Sequence, residues 1–135
     1  MAFEQLGERY DVMVGAVTVD TVDAVALGSW WADLLDVEMR VLDDPPTYVV
    51  VPAQESGGIQ LGFQKVPEPK QGKVRLHLDL ITFDLDETQR DIEERGGTFL
   101  AEHDFEGKWH WRVMADPEGN EFCIVKVEPR ADDGE

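Results

Sequence analysis

The chain repeats itself at half length. Val17-Thr18-Val19-Asp20 finds a counterpart in His77-Leu78-Asp79-Leu80, with Val17 falling on Leu78. Phe63-Gln64-Lys65-Val66 finds one in Ile124-Val125-Lys126-Val127, and both matches share an offset of 61 residues. Self-similarity at a fixed offset marks one supersecondary unit used twice. Each half reads strand, helix, three strands, so the pattern predicts an α+β fold of two βαβββ modules.

In the first half, a strand is expected over about Met13–Asp20, and Asp23 suits the N-cap of the helix that follows. Leu27, Trp30, Trp31, Leu34 and Leu35 recur at helical spacing and should lie on the sheet. Asp36 ends the helix in the left-handed region. Strands follow near 38–42, 47–51 and 59–65, separated by Asp43-Asp44-Pro45-Pro46 and Ser56-Gly57-Gly58.

Val66-Pro67-Glu68-Pro69-Lys70-Gln71-Gly72-Lys73 reads as an extended linker. The second half then gives a strand over Val74–Ile81 and a helix over about Asp86–Arg95, closed by Gly96-Gly97. Three strands near 98–103, 109–114 and 121–126 complete it. Between the last two, Asp116-Pro117-Glu118-Gly119 forms a tight turn: proline presets φ and glycine supplies a positive one. The organisation expected is one domain over 1–135, with module 1 at about 12–66, linker 67–73, module 2 at about 74–127 and an acidic, disordered tail at 128–135.

Charge narrows the partners. Twelve Lys and Arg against 29 Asp and Glu leave a net charge of −17. Such a surface repels phosphate backbones, so no nucleic acid partner is expected. It either serves solubility, the plainer reading, or draws in cationic ligands. No segment reaches the roughly 20 apolar residues that span a bilayer, and Met1-Ala2-Phe3-Glu4-Gln5 is no signal peptide. No membrane partner is therefore expected, and the lone Cys123, unable to form an internal disulfide, points to the cytoplasm.

Strand alternation sorts the candidate site residues. If Leu76, Leu78 and Leu80 pack under the helix, Arg75, His77 and Asp79 take the other face. Phe122 and Ile124 leave Glu121, Cys123 and Val125; Ile59, Leu61 and Phe63 leave Gln60, Gly62 and Gln64. His77 is the best acid–base candidate, since imidazole titrates near neutrality. Glu121 is either a second catalytic group or the salt-bridge partner of Arg75. Gln60, Gln64, Arg75, Asp79 and Cys123 suit ligand binding. In Trp109-His110-Trp111-Arg112, either Trp109 and Trp111 form an apolar wall for a planar ligand, or His110 and Arg112 face it instead.

Three stretches carry a family resemblance: Gly28-Ser29-Trp30-Trp31-Ala32-Asp33-Leu34-Leu35, Leu61-Gly62-Phe63-Gln64-Lys65-Val66-Pro67 with Arg75-Leu76-His77-Leu78-Asp79-Leu80, and Asp116-Pro117-Glu118-Gly119-Asn120-Glu121-Phe122-Cys123. Together they resemble the glyoxalase-like branch of the vicinal-oxygen-chelate superfamily, over roughly residues 12–127. The resemblance implies a curved, mostly antiparallel sheet around a cleft, and a homodimer. In metal-dependent relatives it also implies divalent-metal ligands on the first and fourth strands of each module. Carried over here, those positions are Ala16, Gly62, His77 and Cys123. Ala16 and Gly62 are no donors, and His77 with Cys123 falls short of the three protein ligands of a catalytic zinc, though Glu121, His103 or His110 could supplement them. No metal or other cofactor is therefore expected. The sequence supports a glyoxalase-like protein that binds a small organic molecule in the sheet cleft, with a lyase or isomerase using His77 as acid–base, with or without a divalent metal, as the competing reading.

Overall fold

A computed structural model describes residues 14–129. The start of the first strand at Met13, the N-terminus read for a leader, and the acidic residues beyond Pro129 lie outside it. The chain divides into two compact units between Pro67 and Glu68. Both have the expected βαβββ plan.

The first unit holds β1 (Val17–Thr21), α1 (Ala24–Leu35), β2 (Arg40–Val41), β3 (Tyr48–Val51) and β4 (Leu61–Lys65), in sheet order β1-β4-β3-β2. The second holds β5 (Asp79–Thr82), α2 (Leu85–Glu94), β6 (Thr98–Phe105), β7 (Trp109–Ala115) and β8 (Glu121–Lys126), in order β5-β8-β7-β6. In each, the first strand pairs in parallel with the last and the other neighbours are antiparallel.

The repeat extends to single hydrogen bonds. Thr18 lies opposite Gly62, and 61 residues on Asp79 lies opposite Cys123; Val19 opposite Phe63 becomes Leu80 opposite Ile124. Asp23 Oδ1 accepts from Ala26 N at 3.0 Å, and Asp84 Oδ1 accepts from Glu87 N at 3.0 Å, satisfying N-terminal amides that each helix leaves free. Thr21 and Thr82 hydroxyls accept from the capping residues' own amides. The spaced pair Thr-x-Asp is thus a repeat element that strand matching alone overlooks.

The stripe of α1 that packs on its sheet is Ala24, Leu27, Gly28, Trp31 and Ala32. Trp30, Leu34 and Leu35 are only half-buried, so the expected stripe is rotated. Gly28 explains the rotation. A Cβ there would stand 2.4 Å from Val49 Cγ2, so the helix backbone lies directly on the sheet. Asp36 closes α1 at φ 57°.

The second module departs from expectation at its start. Residues 74–78 are not strand, and Leu76 is 71% exposed instead of lying under the helix. Ile59 is likewise half-exposed rather than inward. The Asp116 turn is held from inside: its buried Oδ1 accepts from the amides of Glu118 at 2.9 Å and Asn120 at 3.0 Å. This aims β8 back across the sheet, beside β5.

Candidate functional site

The face of the second sheet turned away from α2 carries a pocket of about 520 Å³. Trp109, Trp111, Val113 and Val125 supply apolar walls, and His77, Asp79, Glu121, Cys123 and Lys73 supply its polar groups. Six of the nine residues expected in the site come together here. Gln60 and Gln64 belong to the first unit, in or next to β4. Arg75 does not line the pocket.

The alternation of β7 is now decided. Trp109 and Trp111 take the pocket face, and His103, the cross-strand neighbour of Trp111, stacks on it with centroids 5.2 Å apart. His110 and Arg112 take the other face. Arg112 reaches Asp86 at 2.9 Å, Gln89 at 3.0 Å and Glu102 at 3.2 Å, which ties β6 and β7 to α2. Hydrogen bonding to His110, and then to Arg112, holds the Glu102 carboxyl below its ordinary range. The stacking of His103 on Trp111 follows only from the β6–β7 register, which the sequence does not show.

Glu121 is not paired with Arg75. Its Oε1 accepts from Val74 N at 3.1 Å and its Oε2 lies 3.6 Å from Lys70 Nζ. Loss of solvent pushes this carboxyl up, but the amide and the lysines outweigh it and its pKa is lowered. Glu121 therefore anchors the segment leading into β5, a positional role that its place on β8 does not announce.

At the other end of the pocket, three donors converge. His77 Nε2 lies 3.3 Å from Asp79 Oδ1. Asp79 sits opposite Cys123 in the parallel β5–β8 pair, and one ligand atom from each of the three side chains lies within 4.8 Å of the others. Cys123 is buried, and burial, the Asp79 charge and a hydrogen bond to that carboxylate push its thiol up. A thiol pushed up in this way is a poor nucleophile. Among the described residues, the group that gathers beside His77 and Cys123 is Asp79, not Glu121, His103 or His110.

The first unit treats the matching positions differently. A Cβ at Gly62 would run into the Tyr48 hydroxyl, so a side chain there would displace the phenol. That hydroxyl hydrogen-bonds Thr18 Oγ1 at 3.0 Å. So the place of Cys123 is taken by a phenol from the neighbouring strand, and the place of Asp79 by the threonine that binds it. Ala16 offers no donor at the His77 position. The four-donor centre implied for metal-dependent relatives does not fit these residues.

Residues 16–125 match the family model described as a glyoxalase-like domain. Solved structures share the fold. A glyoxalase/bleomycin resistance protein/dioxygenase superfamily member from Sphaerobacter thermophilus is 22% identical with a TM-score of 0.66, over 86% of this chain and 98% of that one. A family enzyme from Burkholderia phytofirmans is 18% identical with a TM-score of 0.65, over 84% and 97%. A bleomycin resistance determinant encoded on the transposon Tn5 is 15% identical with a TM-score of 0.61, over 87% and 99%. No curated protein matches the sequence.

Proposed function

The chain belongs to the glyoxalase-like domain family, and from that premise we propose that it binds a small organic molecule in the pocket of its second module. The observation that carries this is the convergence of two indoles with His77, Asp79, Glu121 and Lys73 around a volume of about 520 Å³. Small-molecule sites are mostly apolar concavities of roughly 300–1,000 Å³ with a few polar groups that fix orientation. Trp109 and Trp111 suit a planar or apolar body. The carboxylates, and a net charge of −17, favour a cationic substituent. Binding here does not draw on the four-donor divalent centre of metal-dependent relatives.

One contact favours a second reading. Asp79 within 3.3 Å of His77 is placed to orient and polarise the imidazole, the arrangement a general base needs. On this reading the protein is a lyase or isomerase that moves a proton at His77 Nδ1, the ring nitrogen that Asp79 leaves free.

Tryptophan fluorescence tests the binding reading. A panel of planar cationic and neutral aromatic compounds should include at least one that quenches saturably, and Trp111→Ala should weaken that binding. Native mass spectrometry of the purified chain should find the bound species at one copy per protomer. Saturable binding that is unchanged in both Trp109→Ala and Trp111→Ala would put the ligand elsewhere and end the proposal.

A further inference from the structure

We infer that His103 sets the specificity of the pocket, by holding Trp111 as the wall of an open slot that takes a flat aromatic ring carrying a hydrogen-bond donor. The inference rests on the small-molecule reading above and narrows it from apolar bodies in general to aromatic ones.

The two modules treat one register position in opposite ways. Tyr48 on β3 lies opposite Gln64 on β4, and Trp111 on β7 lies opposite Val125 on β8. Gln64 and Val125 are separated by the repeat offset, so Tyr48 and Trp111 are equivalent. In module 1 the phenol crosses β4 over Gly62 and hydrogen-bonds Thr18 Oγ1 on β1 at 3.0 Å. It fills the space between its own strand and the first strand. In module 2 that path is blocked, because Cys123 stands where Gly62 does and its side chain is buried there. The indole of Trp111 stacks instead on His103 of β6, with centroids 5.2 Å apart and planes 25° apart. Module 1 has no such brace at this place. The residue across from Tyr48 is Leu42, whose amide donates to Tyr48 O at 3.2 Å, and its exposed aliphatic side chain offers no ring face.

Sheet order turns this difference into a slot. β6 and β8 flank β7, so His103 covers one face of the indole while the other turns to Val125 and, one strand further, to Asp79. Trp111, Val125 and Asp79 all line the pocket, with Val113 between them. Offset stacking of rings adds to what buried area supplies, and only an aromatic ligand gains it. A ring already held by a neighbour has also lost rotamer freedom that binding would otherwise have to remove. Asp79 supplies the polar contact at the far side. A carboxylate has about four acceptor sites; His77 and the Cys123 thiol use two of them, and the side chain is 58% exposed. Capacity therefore remains for an N–H of the ligand. Glu121 does not compete for it, being engaged by Val74 N and Lys70.

Naphthylmethylamine and its fully saturated decahydro analogue test the slot, since they share charge and heavy-atom count and differ in the flat ring. In calorimetric titration of the full chain, the naphthyl probe should bind once per chain. It should bind about two- to tenfold more tightly than the saturated probe, the range that ring stacking adds. His103→Ala should erase most of that preference, and His103→Phe, which keeps a ring against Trp111, should restore it. His103 is exposed, so neither variant threatens the fold. Asp79→Asn should weaken both probes alike, and His110→Ala, on the other face, should change neither. If His103 only braced the β6–β7 hairpin, His103→Ala would lower the melting temperature and leave the preference intact, which overturns the inference. Equal affinity of the unaltered protein for the two probes, or saturable binding of neither, overturns it as well. The pocket reading still stands in those cases if Trp111→Ala weakens a compound of the fluorescence panel, so the two failures are distinguishable.

Discussion

Replacing Gly28 by alanine sets two effects of opposite sign against each other. On an exposed helix the change is favourable by about 1 kcal/mol, because alanine loses less backbone entropy. Here the new methyl would stand 2.4 Å from Val49 Cγ2 and 3.0 Å from Met39 Sδ. Carbon atoms prefer about 3.5–4.0 Å, so more than an ångström must be recovered. Val49 is fully buried, and its branched side chain has little rotamer freedom in which to yield. The helix must lift, which costs about 2–3 kcal/mol as overpacking of a tight core. Net destabilisation is therefore about 1–2 kcal/mol, or a fall in melting temperature of roughly 3–5 °C for each kcal/mol at this size. Urea denaturation of Gly28→Ala, Val49→Ala and the double variant checks the mechanism as well as the size. Val49→Ala alone leaves a cavity, but the methyl introduced on the helix grows into it, so the double variant should be more stable than the sum of the singles by about 1 kcal/mol or more. A stabilised Gly28→Ala, or additivity within about 0.5 kcal/mol, would refute the close approach of α1 to its sheet.

Three further outcomes are expected. Asp23→Ala and Asp84→Ala should each cost about 1 kcal/mol in chemical denaturation, because each removes the side chain that caps its helix; a cost from only one would break the equivalence of the modules. Glu121 has a lowered pKa, so its contribution is present above the ordinary carboxylate value of 4.5 and is lost as pH falls through the folded value; the stability gap between the protein and Glu121→Gln should be widest near neutrality and close on acidification, and a gap that widens in acid would reverse the assigned sign. The homodimer implied by the family resemblance should appear in light scattering as about twice 15.2 kDa, and a monomer mass at high concentration and moderate salt would dismiss it.

What the sequence determined by itself was local or periodic. The offset of 61 residues, the two helices, the Asp23 cap of the first, the left-handed Asp36 and the Asp116 turn all follow from short-range sterics and hydrogen bonding, which neighbours in the chain carry with them. Alternation also placed His77, Asp79, Glu121 and Cys123 in one group, and the pocket contains all four. What alternation leaves undecided is which of two faces meets the helix, because period two is symmetric between them. Packing decided that for β7: Arg112 found Asp86 and Gln89 on α2, and this left both indoles to the pocket. Non-local register likewise made Asp79 the neighbour of Cys123 and put Tyr48 over Gly62. Leu76 shows the limit from the other side. Its hydrophobicity and spacing match a strand, yet the ladder begins only at Asp79, and a side chain without a paired strand beneath it has no sheet to pack on. The identities of His77, Asp79 and Cys123 were written in the chain, but the distances that bring the three together exist only once β5 and β8 lie side by side.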